Sequence, residues 1–253
     1  MWLQAIILGI IQGIFEWLPV SSEGIVSLVM INVFGVSYKE AIPYSIFLHF
    51  GTLMSSIVFF RKDIIDIFRN FKDFKNKEKT NLTVFLLIAT LLTVLVGYPL
   101  YLLILKLSFD GRIVSMLIGV FLVITGVLQL VVKKKVGKKV NIYDSFLLGI
   151  VQGFAVIPGL SRSGLTISTL LFRKYDGKLA LKLSFLMAIP VVLVSSLYLL
   201  GNSLFNVYSL VSLVFAFVFG LLSIKILLKI AKKLNFGWFA LVIGIISIIG
   251  GFV

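Results

Sequence analysis

Two short polar stretches interrupt a very apolar chain, and both contain residue types that can bind an anion or transfer a proton. Residues 12–24 read QGIFEWLPVSSEG and contribute a glutamine, two carboxylates and two adjacent serines. Residues 158–166 read PGLSRSGLT and contribute Arg162 with two serines and a threonine. Arg162 lies far from any charged loop. A charged side chain at membrane depth costs about 3 kcal/mol or more, so its presence there indicates function.

The second stretch predicts an anion site. Glycines and serines before a short helix leave N–H and hydroxyl donors free, and the helix N-terminus adds partial positive charge. Arg162 adds a planar fork suited to phosphate oxygens, and Thr166 lies one turn further on. The structural alternative is that Ser161 and Ser163 cap the helix while Arg162 pairs with a carboxylate. We expect capping as well, but a purely structural ion pair is the weaker interpretation because it adds little stability in a membrane.

The first stretch predicts complementary chemistry. Glu16 lies three residues before Pro19, and Gln12 at i−4 shares its helix face. A carboxylate in this position can act as a general base or hold a divalent cation that bridges phosphate. Ser21 and Ser22 are candidate nucleophiles or phosphate donors. For Ser21, an N-cap role is an equally good interpretation.

Two other ionisable residues have simpler interpretations. Glu23 lies where a helix N-terminus favours a carboxylate, and we expect it to face the aqueous mouth. His49 is the single histidine of the chain. We expect it to be a hydrogen-bonded interior residue, with an acid–base role as the less favoured alternative. One histidine and no cysteine exclude a His-cluster metal site, a thiolate site and disulfides.

Composition places the chain among polytopic membrane proteins. Hydrophobic residues make up 60% of its 253 residues, and the mean hydropathy is +1.13, which is typical of membrane chains. The net charge of +14 does not indicate nucleic acid, because Lys and Arg occur in short runs between apolar stretches. The N-terminus lacks a basic n-region, so we interpret it as part of the mature protein rather than a signal peptide.

The apolar stretches predict an all-α membrane protein with six full transmembrane helices and two re-entrant helical hairpins. The full spans are predicted at 41–60, 82–105, 112–132, 183–200, 207–230 and 236–252. The stretches 1–35 and 142–173 are each split by a polar break into halves too short to cross, since a crossing needs about 20 apolar residues. Such broken backbone is tolerated at depth only where protein buries it or where it lines a cavity.

The distribution of basic residues predicts the orientation. Twenty of the 24 Lys and Arg residues lie in two predicted hydrophilic loops, 61–79 and 133–139, and in the segments 173–182 and 225–233. If only the six full spans cross, all four segments fall on one side, which is then cytoplasmic. The first hairpin would enter from outside and the second from inside, with both termini outside.

An internal repeat predicts that the two breaks meet. Residues 8–13 read LGIIQG and residues 148–153 read LGIVQG, and the Pro, Ser and Gly of the two breaks recur at nearly the same offset. We expect one domain, 1–253, built from inverted repeats of about 1–132 and 142–253. Such folds place their site at the repeat interface near the membrane midplane.

At these motifs the chain resembles the undecaprenyl-diphosphatase family, the bacitracin-resistance type of lipid pyrophosphate phosphatase. The family's first motif, [EQ]GxxEFLPVSSxGH, is similar to residues 12–24. The second, PGxSRSGxT, is matched by residues 158–166 at every fixed position. The resemblance covers essentially the whole chain, and the two motifs together are specific.

The resemblance implies hydrolysis of undecaprenyl diphosphate to the monophosphate carrier lipid and inorganic phosphate, which recycles the carrier for cell-envelope glycans. It implies a divalent cation, Mg²⁺ or Ca²⁺, and a plasma-membrane site open to the outer face. By position, the catalytic residues are Glu16, Ser22 and Arg162, with Glu16 also holding the metal. The substrate-binding residues are Gln12, Ser21, Ser161, Ser163 and Thr166.

The chain departs from the family pattern at two places. Ile25 replaces the histidine that closes the first motif, so acid–base chemistry would be lost or would pass to Glu16 or Glu23. Phe239-Ala240 replaces the Tyr-Arg expected in the last span.

The alternative function is a non-catalytic polyprenyl-phosphate transporter on the same inverted-repeat fold. The enzyme is favoured because Glu16, both serines and Arg162 are retained. Whether Ser22 or water attacks phosphorus stays open at this point, as does the oligomeric state.

Overall fold

The protein was analysed as a computed structural model that describes residues 1–73, 77–107, 110–131, 138–199, 206–230 and 237–252. Within these ranges the regular structure is entirely helical. The helices are α1 Trp2–Phe15, α2 Ser22–Asn32, α3 Tyr38–Phe59, α4 Arg61–Asp73, α5 Lys77–Lys106, α6 Gly111–Val131, α7 Ile142–Gly153, α8 Arg162–Phe172, α9 Gly177–Leu199, α10 Val207–Ile230 and α11 Gly237–Gly250. A short 3-10 turn, Phe154–Val156, follows α7.

Five helices, namely α3, α5, α6, α9 and α10, are long and apolar enough to cross a membrane. The prediction of a multi-pass helical membrane protein is therefore confirmed. The sixth predicted span, 236–252, corresponds to α11, which has 14 described residues. At about 1.5 Å per residue, α11 is about 21 Å long, less than the roughly 30 Å of a hydrocarbon core.

The segment 61–79, interpreted from its charge as a hydrophilic loop, contains the helix α4. The loop interpretation was wrong because apolar residues recur at helical spacing among the charges. Ile64 and Ile67 pack against the buried core around Phe60 and Phe85. Most of the predicted basic loop 133–139 lies outside the described residues.

Glycines at corresponding positions of the repeat allow close helix packing between the two halves of the molecule. A Cβ on Gly9 of α1 would lie 2.3 Å from a backbone oxygen of α10, and a Cβ on Gly149 of α7 would lie 2.7 Å from one of α5. Gly13 and Gly153 make the same close approaches one turn later. The first hairpin therefore packs on a helix of the second half, and the second hairpin packs on a helix of the first half.

A further glycine-mediated crossing joins α6 to α11. A Cβ on Gly119 would lie 2.6 Å from the Gly244 carbonyl oxygen, and one on Gly126 would lie 2.7 Å from that of Gly237. Small residues let the two backbones approach closely, as is typical of helix pairs in membranes. This contact holds α6 in place, and α6 in turn contacts both polar breaks.

Candidate active site

The first break is a tight turn between α1 and α2. Ser21 has a left-handed backbone with φ of 60°, and its side chain accepts a hydrogen bond from the Gly24 N–H at 3.2 Å. The predicted N-cap role of Ser21 is confirmed, and α2 begins at Ser22 rather than near Gly24. A positive φ at a non-glycine residue costs about 1–3 kcal/mol and is concentrated at functional sites.

The second break has the same construction. Gly159 takes a φ of 97°, and the Ser161 side chain accepts a hydrogen bond from the Gly164 N–H at 3.0 Å, which caps α8. The capping prediction is confirmed for Ser161. Ser163 does not cap the helix, because its hydroxyl donates to the Leu18 carbonyl at 3.0 Å in the other break.

The two breaks face each other, as the repeat predicted. The hydroxyl of Ser163 joins them directly, and α6 joins both from one side. Gln129 of α6 donates to the carbonyl of Pro19 in the first break. Thr125, also of α6, donates to the carbonyl of Gly159 in the second break at 3.4 Å. Residues from both halves of the sequence therefore build one site.

Glu16 is at the centre of this site and is 4% exposed. Its Oε2 accepts hydrogen bonds from Gln12 Nε2 at 2.8 Å and from Ser22 Oγ at 2.6 Å. His49 Nε2 lies 3.1 Å from the same oxygen. The other oxygen, Oε1, pairs with Arg162. Both oxygens of the carboxylate are thus engaged by donors of the protein.

Arg162 uses only part of its guanidinium group for that ion pair. Its Nη2 contacts Glu16, whereas the buried Nη1 has no hydrogen-bond partner. The guanidinium lies 5.9 Å from the centre of the Trp17 ring, a cation–π distance that fixes its orientation. The ion pair considered as a structural alternative is therefore present, and it leaves the donor Nη1 without a hydrogen-bond partner among the described residues.

The site opens into a cavity of about 460 Å³. Its polar end is the cluster formed by Glu16, Ser21, Ser22, Glu23, His49, Ser161, Arg162 and Ser163. The rest of its lining is mainly apolar and includes Ile46, Val94, Val156, Leu160, Val191 and Val192. This combination suits a ligand with an anionic head and an apolar tail, because polar groups fix orientation while apolar walls provide contact area.

Two predicted substrate-binding residues lie behind the cavity wall rather than in it. Gln12 donates to Glu16 from α1. Thr166 donates to the Arg162 carbonyl at 2.8 Å and shares a hydrogen bond with Ser184 Oγ at 2.7 Å. Both side chains face neighbouring protein groups because of their helical register. They therefore hold the site residues Glu16 and Arg162.

Sequence reasoning favoured His49 as a hydrogen-bonded interior residue, with an acid–base role as the less favoured alternative. His49 Nδ1 does bond to the Ser45 carbonyl at 2.8 Å, as expected for an interior residue. The same ring also lines the cavity and contacts Glu16. The available signal was that the one histidine of the chain lies in an otherwise apolar span.

Gln152 and Thr93 also line the cavity and were not predicted. Gln152 Nε2 donates to Thr93 Oγ1 at 3.0 Å, and its buried Oε1 has no partner. The signal that could have found Gln152 is the repeat, in which it corresponds to Gln12. Glu23, expected at the mouth, lines the cavity with a buried Oε1 that has no partner.

The residues present fit a divalent cation that arrives with phosphate better than one bound by protein alone. In the part of the chain that the structure describes, no three His, Cys, Asp or Glu side chains group into a metal site. Both Glu16 oxygens are engaged, whereas Glu23, which also lines the cavity, has a buried Oε1 without a hydrogen-bond partner among the described residues. Mg²⁺ commonly binds through one or two carboxylates, waters and substrate phosphates.

Comparison with known proteins identifies the family. The family described as "Bacitracin resistance protein BacA" matches residues 5–249. The chain belongs to the BacA family. It is 45% identical to an undecaprenyl-diphosphatase of Methanococcoides burtonii, over 97% of both chains. An undecaprenyl-diphosphatase of Methanothrix thermoacetophila is 37% identical over 97% of this chain and 95% of the relative's chain. Another from Christiangramia forsetii is 35% identical over 97% of both. The resemblance inferred from the two BacA motifs is thus confirmed.

Proposed function

We infer that this membrane protein hydrolyses undecaprenyl diphosphate to undecaprenyl monophosphate and inorganic phosphate. The observation that carries this function is the contact of Glu16 with Ser22 of its own break and with Arg162 of the other. These groups line a cavity whose remaining lining is mainly apolar. Relatives named undecaprenyl-diphosphatase that match nearly the whole chain support the same reaction. Recycling of the carrier for cell-envelope glycans is the cellular role that we propose for it.

The terminal phosphate of the substrate binds at the second break. Arg162 Nη1, which has no protein partner, donates to a phosphate oxygen. Ser161 and Ser163 line the same cavity at the N-terminus of α8, which adds positive potential. The prenyl chain lies along the apolar part of the lining, where its burial contributes roughly 25 cal/mol per Å².

Ser22 is the nucleophile of the proposed reaction. Its Oγ donates to Glu16 Oε2 at 2.6 Å, which is the pairing of a hydroxyl with an adjacent base. Glu16 takes the proton while Ser22 Oγ attacks the terminal phosphorus and the monophosphate leaves. Arg162 balances the negative charge that spreads over the phosphoryl oxygens. Water then attacks the phosphoserine and releases inorganic phosphate.

We also propose that a divalent cation, Mg²⁺ or Ca²⁺, binds together with the substrate. Glu16 was the predicted ligand, but donors of the protein engage both of its oxygens. We therefore place the cation contact at Glu23, which lines the cavity and whose Oε1 has no hydrogen-bond partner among the described residues. When bound, the cation neutralises charge on the diphosphate.

The topology that we propose has six crossings and two re-entrant hairpins in the cell membrane. At about 1.5 Å per residue, α1 and α2 are roughly 21 and 16 Å long, and the helices α7 and α8 are similarly short. None of the four reaches across a hydrocarbon core of about 30 Å, and each of them adjoins a polar break. The helix α11 is as short as α1, but the apolar run 236–252 around it contains no charged residue and no proline, so we propose it as the sixth crossing. The basic segments then lie in the cytoplasm and the site opens to the outer face.

Phosphate release by purified protein from undecaprenyl diphosphate tests the function. We expect Glu16→Gln, Ser22→Ala and Arg162→Ala each to lower the rate by at least about 10²-fold. The matched controls are Glu40→Gln and Arg112→Ala, which change exposed residues. Ser27→Ala changes a buried serine of α2 that bonds to Ser45 Oγ. All three controls should keep the wild-type rate.

The same assay separates the enzyme from the transporter. Wild-type protein that binds the lipid but gives no turnover, with Mg²⁺ or Ca²⁺ present, would contradict hydrolysis and favour transport. If Ser22→Ala keeps turnover while Arg162→Ala loses it, water is the nucleophile instead of Ser22.

A further inference from the structure

His49 lies at the centre of the site, and the proposed reaction does not yet use it. It lies on α3, outside both breaks, and its side chain is 15% exposed. Its Nε2 is 3.1 Å from Glu16 Oε2, and its Nδ1 is 2.8 Å from the carbonyl oxygen of Ser45. Both ring nitrogens therefore have oxygen partners.

Those partners fix the protons on the ring. The Ser45 carbonyl can only accept, so Nδ1 carries a proton. The other nitrogen faces a carboxylate oxygen that already accepts from Ser22 and Gln12. Two acceptors cannot face each other at 3.1 Å without a proton between them. A second proton therefore lies between His49 Nε2 and Glu16 Oε2.

Glu16 Oε2 is thus a shared point between the proposed nucleophile and the imidazole. Ser22 Oγ approaches it from one side at 2.6 Å and His49 Nε2 from another at 3.1 Å. His49 and Arg162 line the same polar end of the cavity. A phosphate bound by Arg162 there comes within reach of the imidazole proton.

We propose that His49 is the proton donor and acceptor of the hydrolysis, an inference that rests on the proposed function. In the first step the Ser22 Oγ–P bond forms and the bond from phosphorus to the bridging oxygen breaks. The Ser22 proton goes to Glu16, and the His49 Nε2 proton goes to the leaving monophosphate. In the second step water attacks the phosphoserine and its proton goes to His49. Glu16 returns its proton to Ser22 Oγ as the P–Oγ bond breaks.

The position of His49 distinguishes this role from a structural one. A residue that only fills space or holds Glu16 could be replaced by glutamine, whose amide donates to a carboxylate but transfers no proton near neutral pH. His49→Gln therefore separates hydrogen bonding from proton transfer. His49→Ala removes the ring next to an existing cavity and leaves room for free imidazole.

The test compares these two variants with wild-type protein in the phosphate-release assay. We expect His49→Gln to lower kcat by about 10²- to 10³-fold with little change in KM, as is typical for loss of a general acid or base. Free imidazole should restore at least a tenth of the lost rate to His49→Ala and nothing to Ser22→Ala. The matched control is Tyr44→Phe on α3, the helix that also carries His49. It removes a hydroxyl that shares a hydrogen bond with Ser212 of α10.

A pH profile gives a second readout. The charged and titratable groups that line the cavity with His49 are Glu16, Glu23 and Arg162, with Tyr98 and Tyr101 on α5. The wild-type profile should contain a limb that His49→Gln removes and that the control Tyr44→Phe keeps. A His49→Gln protein with the wild-type rate and profile, while Arg162→Ala is inactive, would overturn the role of His49 and leave the hydrolase intact. An inactive wild-type protein would overturn the hydrolase itself.

Discussion

Glu16 is the residue on which the site depends most, because it neutralises Arg162 and accepts from the proposed nucleophile at the same time. Arg162 and Glu16 have side chains only 14% and 2% exposed, so their charges are shielded from water. Removing one partner of a buried ion pair typically costs about 3–5 kcal/mol, because the other charge stays buried. Activity and stability should therefore respond differently to single and double changes.

We predict that Glu16→Gln and Arg162→Gln each lower the melting temperature of the detergent-solubilised protein. The double variant should recover part of that loss, because it buries no unpaired charge. All three proteins should be inactive. Thermal unfolding combined with phosphate release measures both quantities. Additive losses of stability in the double variant would mean that the two side chains are not coupled.

Among the helices, the hairpins depend on glycines for their close packing. A Cβ on Gly9 would meet the Ser212 carbonyl oxygen at 2.3 Å, and backbone cannot move aside as a flexible side chain can. By contrast, no described residue lies within 4 Å of a Cβ placed on Gly250 of α11. Alanine should therefore destabilise the protein at Gly9 and have no effect at Gly250.

We predict that Gly9→Ala destabilises the protein by about 1–3 kcal/mol, the typical cost of overpacking. Gly149→Ala should destabilise the protein similarly, because its Cβ would clash with the backbone of α5. Gly250→Ala is the matched control and should leave the melting temperature unchanged. Equal melting temperatures for Gly9→Ala and Gly250→Ala would show that α1 and α10 are not in close contact.

The sequence predicted the elements whose signals are local. Long apolar runs identified five spans, and Pro, Ser and Gly marked both breaks. It predicted that the breaks meet because the repeat relates Gln12 to Gln152. The helix α4 was missed because its charges obscured an apolar face that includes Ile64 and Ile67. Composition and charge describe a segment on average, whereas a helix depends on spacing.

The contact of His49 with Glu16 could not be predicted, because it depends on the packing of distant segments. His49 lies 33 positions after Glu16 in the chain and on a different helix. Their approach results from the packing of α3 beside the first break, which no local pattern specifies. The sequence also did not show that Thr166 and Gln12 lie behind the cavity wall. The packing of each helix against its neighbour decides which of its faces reaches the cavity.

Neither half of the molecule can build the site alone. The first half supplies Glu16, Ser22 and His49, and the second half supplies Arg162. Each hairpin is also covered by a helix of the other half, since α1 packs on α10 and α7 packs on α5. The site therefore forms only when the two halves are assembled, and its accessibility depends on how they sit in the membrane.

That arrangement can be measured with single cysteines, because the natural chain contains none. Lys39, Lys62, Arg112 and Lys178 are all exposed and lie beside different spans. We predict that an impermeant thiol reagent labels Lys39→Cys and Arg112→Cys in intact cells. Lys62→Cys and Lys178→Cys should react only after permeabilisation, because basic segments stay in the cytoplasm. The reverse pattern would invert the proposed orientation. Labelling of Lys178→Cys together with Arg112→Cys would mean that α7 and α8 cross the membrane once instead of returning to the side from which they enter.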